Sequence, residues 1–350
     1  MEAGAITLSE IHGQPKVWSQ CLLELDALNL DPLVANRLPS THEWIFVGCG
    51  TSYYLAQAAA ASFTALTGIL ARAIPASEFL IFPELVIPST SASVFPVLIS
   101  RSGHTSEVLQ VAEALRLRGI EFLGITCDGR ELATLTPRLL RLPVKEDSTV
   151  MTASFTSMLM ALQYIAARLA GNNAFIQSLH ALPDALEALL PVYAPQLRDF
   201  AVRSLDDVAF LGQGALYPIA SETALKVMES SSTYAQFFHS LEFRHGPKSV
   251  VADRVLVGGL ISETGYAAES AVLLEMKQLG AHTIAIANTI GPELRASADL
   301  CIELQLPVPE LARLIVYIVW GQLLGSYMGQ RKGLNPDSPR NLSRVVTIAG

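Results

Sequence analysis

A loop rich in hydroxyl side chains lies between residues 100 and 106. It reads SRSGHTS, so four of its seven residues are serine or threonine and one is glycine. An apolar run ends just before the loop, and a pattern of helical period begins at Glu107. Backbone N–H groups at a helix start carry partial positive charge, and a phosphate can accept hydrogen bonds from them and from nearby hydroxyls. The loop therefore predicts a phosphate site; simple helix capping by Thr105 is the alternative.

A second pair of hydroxyls favours the same interpretation. Thr51 and Ser52 follow a glycine turn, GCG, at the end of another apolar run. The same turn is a candidate for a dinucleotide site, but that fingerprint needs a third glycine where this chain has Tyr53. Two hydroxyl-bearing turns in one half of the chain indicate an anion site.

Residues able to move protons lie in the second half of the chain. In ETALKVME, which has the pattern of a helix, Lys226 and Glu229 are three residues apart and share one face. A surface salt bridge is the alternative meaning of that spacing. His245, in FRHGPKS, precedes Gly-Pro and is expected in a turn. A carboxylate and an imidazole can transfer protons near neutral pH, whereas a purely structural histidine is the alternative.

The chain repeats itself at long range. FVGCGTSYYLAQAAA, which begins at Phe46, matches FLGQGALYPIASETA, which begins at Phe210, at an offset of 164. LISRSG, which begins at Leu98, matches LISETG, which begins at Leu260, at an offset of 162. Two matches in the same order and at nearly the same offset predict a duplicated domain.

The alternation of short apolar runs and helical patterns within each copy predicts the fold class. We expect an α/β protein of two tandem domains, each a parallel sheet flanked by helices on both faces in a three-layer, flavodoxin-like arrangement. Ligands of such sheets bind where the carboxyl ends of strands give way to helices. The expected segments are an N-terminal helical segment at 1–40, an anion-binding domain at 41–185, a domain carrying the acid and base at 195–330, and a tail at 331–350 that closes the site.

The two copies differ at the positions that would hold an anion. Where the first copy has Thr51, Ser52 and Thr105, the second has alanine or leucine. We therefore expect phosphate to bind in the first copy.

Composition and charge disfavour several classes of function. The 350 residues are 51% hydrophobic and 16% charged, with a formal net charge of −8. An acidic chain is a poor partner for nucleic acid or an anionic membrane. Four scattered cysteines without metal-ligand spacing predict reduced thiols, a cytoplasmic location and no metal. The most apolar stretch, 311–328, is broken by Arg313, Gln322 and two glycines and predicts a buried helix; no signal peptide is expected.

Seven motifs follow one another along the chain: LSEIHGQP (8–15), GCGTS (48–52), SRSGHTSEV (100–108), TASFTSM (152–158), ALKVME (224–229), FRHGPKS (243–249) and PRNLSRVVT (339–347). Taken in this order, they resemble the two-domain SIS (sugar isomerase) family. The chain resembles the isomerase half of glucosamine-6-phosphate synthase, and more closely the galactosamine-6-phosphate deaminase/isomerase group.

The resemblance implies a substrate-binding set. The positions that match the sugar 6-phosphate site are Ser52, Ser100, Ser102 and Thr105. Arg101 holds a position that is often glutamine in the family. The expected set is completed by Thr51, Thr152, Ser343 and Arg344.

The resemblance also implies catalytic roles. Glu229 matches the base that moves a proton between C1 and C2, and Lys226 matches a lysine beside it. His245 matches the histidine that opens the sugar ring, which in the synthase comes from the neighbouring subunit. The implied protein is a homodimer with shared sites and without a cofactor.

Two departures from the synthase refine the expected activity. A glutaminase domain is not expected, so ammonia would not be drawn from glutamine. Arg344 stands where the synthase has a lysine, and arginine does not form a Schiff base. We expect an amino-sugar 6-phosphate isomerase that releases a ketose 6-phosphate and ammonia. A plain phosphosugar isomerase or a fructosamine-6-phosphate deglycase would use nearly the same residues, whereas a non-catalytic sugar-phosphate sensor would have no use for Glu229 and His245.

Overall fold

Two five-stranded sheets, each with all of its strands parallel, form the framework of the protein. A computed structural model describes residues 3–34, 41–88 and 93–345. The predicted α/β fold, with two tandem parallel sheets flanked by helices, is confirmed. Residues 35–40 of the predicted N-terminal segment and 346–350 of the predicted tail lie outside the described residues, as do 1–2 and 89–92.

The first sheet belongs to a compact unit that we call the N-unit, comprising 16–146, 153–180 and 343–345 of the described chain. Its strands are β1 (Glu43–Gly48), β2 (Leu70–Pro75), β3 (Val94–Ile99), β4 (Leu123–Thr126) and β5 (Leu139–Arg141), in the order β2-β1-β3-β4-β5. The helices up to residue 180 are α1 (Ala5–Ala27), α2 (Asp31–Val34), α3 (Thr51–Thr67), α4 (Ala76–Ile81), α5 (Pro83–Val86), α6 (Ser106–Leu117), α7 (Leu132–Leu135), α8 (Ala153–Leu169) and α9 (Asn173–His180).

The second sheet belongs to the C-unit, which comprises 3–15, 147–152 and 181–342. Its strands are β6 (Asp207–Gly212), β7 (Ala235–His239), β8 (Val255–Ile261), β9 (His282–Ala287) and β10 (Leu300–Glu303), in the order β7-β6-β8-β9-β10. The helices are α10 (Leu182–Phe200), α11 (Tyr217–Ser231), α12 (Tyr266–Gln278), α13 (Pro292–Ser297) and α14 (Glu310–Arg331), with 3₁₀ turns at Gly214–Leu216, Glu242–Arg244 and Pro247–Val250.

The two sheets have the same strand order, which is the structural counterpart of the sequence repeat. In both sheets, the second strand of the unit pairs with one side of the first strand, and the third strand pairs with the other side. All seven residues of β8 are buried, as expected for a central parallel strand covered on both faces. In the C-unit this strand packs with Val272 and Met276 of α12; in the N-unit Leu98 packs with Val111 of α6. These cores hold the carboxyl ends of the strands in place.

The apolar helix α14 packs closely against α11 along a row of glycines. A Cβ added to Gly325 would lie 2.7 Å from the main-chain oxygen of Lys226, and one added to Gly321 would lie 2.5 Å from the Thr223 side chain. By length and composition α14 could cross a membrane, but 94% of its most apolar window is buried inside the protein. The prediction of a buried helix at 311–328 is confirmed.

Residues near both ends of the chain meet within the C-unit. Asp337 accepts hydrogen bonds from the backbone and the hydroxyl of Thr7, both at 2.8 Å. Oδ1 of the Asn335 side chain accepts a hydrogen bond from the backbone N–H of Gly4 at 2.9 Å. The first turns of α1 are therefore fixed by a segment more than 300 residues later in the chain.

Candidate functional site

Each repeated glycine turn begins with a glycine that no other residue can replace without displacing the following helix. A Cβ on Gly48 would lie 2.4 Å from the main-chain oxygen of Ser52, and a Cβ on Gly212 would lie 2.4 Å from that of Leu216. Real Cβ atoms do not approach other atoms so closely. Both copies of the repeat therefore have a tight turn from strand to helix, at the carboxyl end of the first strand of each sheet.

Thr51 and Ser52 are the first residues of α3, immediately after this turn. Both residues are buried, with exposed fractions of 7% and 6%, although they lie at the start of a helix. Strand β1, which leads into them, pairs with β3, and Val47 lies opposite Leu98. The hydroxyls of α3 and the loop after β3 therefore follow neighbouring strand ends.

The loop after β3 is organised by its own hydroxyls. Ser100 is buried and its Oγ lies 3.1 Å from Oγ1 of Thr105; the same Oγ accepts the backbone N–H of Gly103 at 3.1 Å. Oγ of Ser102 accepts the backbone N–H of His104 at 3.1 Å. Thr105 occupies the N-cap position of α6, and within the described chain its side chain makes no capping hydrogen bond. The predicted hydroxyls are thus gathered beside a helix start, and that of Thr105 faces Ser100.

Arg101 is held in the N-unit by contacts on both sides of its guanidinium group. Nη1 lies 3.3 Å from Oε2 of Glu146, and Nη2 donates to the main-chain oxygen of Arg344 at 3.1 Å. Glu146 is buried and accepts the backbone N–H and the hydroxyl of Ser154 at 2.9 and 2.5 Å. Arg344 in turn donates to the main-chain oxygen of Glu146. Arg101 therefore ties the hydroxyl loop to the C-terminal segment.

The matching loop of the C-unit carries its own carboxylate. Glu269, in the first turn of α12, is buried and accepts the hydroxyl of Ser262 and the backbone N–H of the same residue, the latter at 3.3 Å. The hydroxyl of Ser240 approaches it at 3.4 Å. Burial raises the pKa of Glu269 above its ordinary value. The counterpart of Glu269 at the offset of 162 is Glu107, in the first turn of α6, so the two loops differ in their hydroxyls and not in this carboxylate.

A buried cluster of three charges lies on α11. Nζ of Lys226 is 2.5 Å from Oε2 of Glu229 and 3.2 Å from Oε1 of Glu222. The side chains of Lys226 and Glu222 are 1% and 0% exposed, whereas that of Glu229 is 18% exposed. Burial lowers the pKa of Lys226, but the two carboxylates outweigh this effect and raise it overall. The surface salt bridge considered for this spacing is excluded by burial, and Glu229 is the carboxylate of the cluster that reaches solvent.

Glu222 is a functional candidate that the sequence analysis missed. It precedes Lys226 by four residues and Glu229 by seven, so all three lie on one face of α11. That spacing is visible in the sequence and could have revealed it. The burial of this face, by contrast, has no local signal in the sequence.

His245 lies between two 3₁₀ turns of the C-unit and is exposed. Its backbone N–H donates to the main-chain oxygen of Glu242 at 2.9 Å. The next residue, Gly246, has a φ of 130°, which a residue with a side chain rarely adopts. The predicted turn is confirmed, and it presents the imidazole to solvent.

Three further predicted residues have differing environments. Thr152 belongs to the C-unit and is fully buried, and its main-chain oxygen accepts Nε2 of Gln322 at 3.3 Å. Ser343 is exposed, and its hydroxyl donates to the main-chain oxygen of Val345 at 2.9 Å. Arg344, as described, is bound beside Arg101.

The described side chains of the two units suit two different chemical tasks. The N-unit has hydroxyls and helix starts at neighbouring strand ends, which suit an anionic oxygen ligand. The C-unit has a carboxylate held by a buried ammonium group, which suits proton transfer.

The SIS domain family matches residues 38–168 and 203–319, and the chain belongs to this family. A glucosamine-6-phosphate deaminase from Thermotoga maritima has a similar structure, with a TM-score of 0.77 and 28% identity, covering 98% of this chain and 100% of that one. A tagatose-6-phosphate ketose/aldose isomerase from Escherichia coli has a TM-score of 0.84 and 23% identity, with 97% of each chain covered, which shows a shared fold.

Longer proteins also resemble this chain. A glutamine–fructose-6-phosphate aminotransferase (isomerizing) from Methanothermobacter thermautotrophicus is 28% identical in an alignment of length 346 that covers 97% of this chain and 57% of that protein. The chain thus spans a little over half the length of such relatives.

Proposed function

We propose that this protein is an amino-sugar 6-phosphate isomerase that releases ammonia. The observation that carries the proposal is the buried Glu222–Lys226–Glu229 cluster, in which Glu229 is oriented by a lysine and remains partly exposed. A sensor that only binds a sugar phosphate gains nothing from burying three charges, which is costly unless they are paired. Proton transfer at carbon is the chemistry that such a cluster supports best.

The proposed reaction starts from a hexosamine 6-phosphate in its ring form. His245 transfers a proton between the C1 hydroxyl and the ring oxygen, which opens the ring to an aldehyde. Glu229 removes the proton from C2, giving an enolamine, and returns a proton to C1. The resulting imine at C2 adds water and expels ammonia, leaving a ketose 6-phosphate. Every step is a proton transfer, an addition or an elimination, and none needs an oxidant or a cofactor.

The proposed role of the N-unit is to bind the 6-phosphate through Ser52, Ser100, Ser102 and Thr105. Binding energy from a group that does not react can fix the sugar carbons for proton transfer. Arg101 and Arg344 would then hold the hydroxyl loop in place by their contacts with each other and with Glu146. Thr51, Thr152 and Ser343 remain proposed substrate residues.

Similarity to the Thermotoga deaminase supports release of ammonia, because that protein resembles this chain over nearly the full length of both. The aminotransferases resemble it over little more than half of their own length and support the sugar-phosphate part of the proposal. A plain aldose–ketose isomerase would use the same proton transfer, and a deglycase would act on a substituted amine. The assay below separates these reactions.

The first test is an assay of ammonia with glucosamine 6-phosphate and galactosamine 6-phosphate, with the sugar products identified by NMR in D₂O. We expect ammonia, a ketose 6-phosphate and deuterium at C1. Glu229→Gln should lower kcat by about a thousandfold, since general acid–base catalysis contributes up to about 10⁴. Stabilisation of the fold by the sugar phosphate should persist in this variant.

The control is Glu293→Gln, the same chemical change at an exposed position of the C-unit. It should leave kcat unchanged. Deuterium exchange without ammonia would replace the deaminase with an isomerase, and ammonia from a fructosamine 6-phosphate alone would indicate a deglycase. Full activity of Glu229→Gln would refute the assignment of the base.

A further inference from the structure

One carboxylate of the C-unit binds two cations that flank His245. Oε2 of Glu275, on α12, lies 2.7 Å from Nε of Arg244, and Oε1 lies 2.8 Å from Nζ of Lys248. Arg244 precedes His245 by one residue and Lys248 follows it by three. Hydrogen bonds from Lys248 and then Arg244 lower the pKa of Glu275 below its ordinary value, so the carboxylate is ionised throughout the neutral range.

The segment from Phe243 to Lys248, which we call the His245 turn, is also fixed at its amino-terminal end. Phe243 is fully buried, and its ring lies 5.2 Å from that of Phe238. Between this anchor and Lys248, the backbone makes a short 3₁₀ turn and passes through Gly246 in a conformation that favours glycine. The backbone hydrogen bonds here span three residues, as from His245 N–H to the Glu242 oxygen at 2.9 Å and from Ser249 N–H to the Gly246 oxygen at 3.0 Å, and bonds of this kind have poorer geometry than those of an α-helix. The Glu275 contacts are the charged links of this turn to the neighbouring helix.

Two features separate these ion pairs from ordinary surface pairs. Both oxygens of one carboxylate are used, each by a different residue of the same turn. The three side chains are also only 30 to 40% exposed. Partly exposed ion pairs add little to the free energy of unfolding. We therefore expect these two pairs to act mainly by fixing the backbone conformation of the turn.

We propose that Glu275 is a positioning residue: by binding Arg244 and Lys248, on either side of His245, it fixes the orientation of the His245 imidazole. The inference rests on the proposed ring-opening role of His245. A misplaced imidazole would slow the proton transfer and leave phosphate binding intact, because small displacements of a catalytic group cost much rate.

The experiment compares Glu275→Gln in the wild-type and His245→Asn backgrounds. We expect kcat to fall about tenfold in the wild-type background, with KM changing less than about twofold, and no further fall in the His245→Asn background. Glu275→Asp, which keeps the charge, should recover part of the loss. The matched control is Asp299→Asn, since Asp299 binds Lys277 of the same helix at 2.7 Å and has no bond to the His245 turn among the described contacts.

An equal loss from Glu275→Gln in both backgrounds, or no loss in the wild-type background, would overturn the proposal. Full activity of His245→Asn would instead refute the proposed role of His245. Hydrogen exchange of residues 242–251 gives a readout that needs no substrate. Exchange should rise in Glu275→Gln and stay unchanged in Asp299→Asn, and an unchanged rate in both would also overturn the proposal.

Discussion

At the scale of single residues, the proposed activity depends on the charge cluster on α11. Lys226 is enclosed with Glu222, and the three charges sum to one negative charge when all are ionised. Removing one partner of such a group leaves an uncompensated buried charge. The arrangement therefore keeps Lys226 charged and gives Glu229 a fixed neighbour. Glu229 is the member of the cluster that can meet a substrate.

The hydroxyl loop allows a direct test of anion binding with a built-in control. Ser102→Ala should weaken binding of a sugar 6-phosphate by about 1.5 kcal/mol, or about tenfold in Kd, because hydrogen bonds to charged groups have that magnitude. Binding of the unphosphorylated sugar should not change. Titration calorimetry of both ligands gives the comparison.

The control is Thr264→Ala, at the matching position of the C-unit loop. It should leave both affinities unchanged. A similar loss in the two variants would mean that phosphate does not distinguish the two copies.

The residue types of the candidate site were easier to predict from the sequence than the partners of those residues. The i, i+3 spacing predicted contact between Lys226 and Glu229, which the structure confirms at 2.5 Å. It could not predict that the pair is buried, because surface pairs have the same spacing. Arg101 illustrates the same limit: its partners, Glu146 and Arg344, are 45 and 243 residues away. Long-range contacts of this kind leave no local pattern.

At the scale of elements, helix α14 supports the charged helix α11 through its glycines. Gly325→Ala should destabilise the protein by about 1–3 kcal/mol, since its Cβ would meet the main-chain oxygen of Lys226 at 2.7 Å and the core is already full. Because the displaced backbone carries the cluster, kcat should fall as well. Thermal unfolding and the ammonia assay measure the two effects.

Gly13→Ala is the matched control, because this glycine lies inside α1 with open space around the position of a Cβ. It should be neutral or stabilising by up to about 1 kcal/mol. If Gly325→Ala behaved like Gly13→Ala, the close approach of α11 and α14 would not matter for the cluster.

The elements also show why the fold was predictable. Two repeated motifs at nearly one offset implied one architecture used twice, and both sheets have the same strand order. Alternating apolar runs and helical patterns then indicated parallel sheets. The assignment of residues 147–152 and 3–15 to the C-unit was not predictable, because neither segment is part of the repeat.

At the scale of the whole molecule, the proposed homodimer can be tested by complementation. If His245 acts in the neighbouring subunit, mixing Glu229→Gln and His245→Asn chains should restore activity, since a mixed dimer has one site with both residues intact. Random exchange would recover roughly a quarter of wild-type activity. Refolding an equal mixture and assaying ammonia gives the answer.

A control mixture of each variant with itself should stay inactive. No recovery in the mixed sample, with exchange of subunits verified by mass spectrometry, would place His245 and Glu229 of one site in the same chain.

The pairing of Thr7 with Asp337 has a consequence for biosynthesis. These residues are 330 positions apart. A ribosome adds about 5–20 residues per second, so Thr7 waits roughly twenty seconds to a minute for Asp337 to be made. During that interval the hydrogen bonds that fix the first turns of α1 cannot form. The charged helix α11 is likewise made before α14, so the close packing of these two helices forms only once residue 331 has been added.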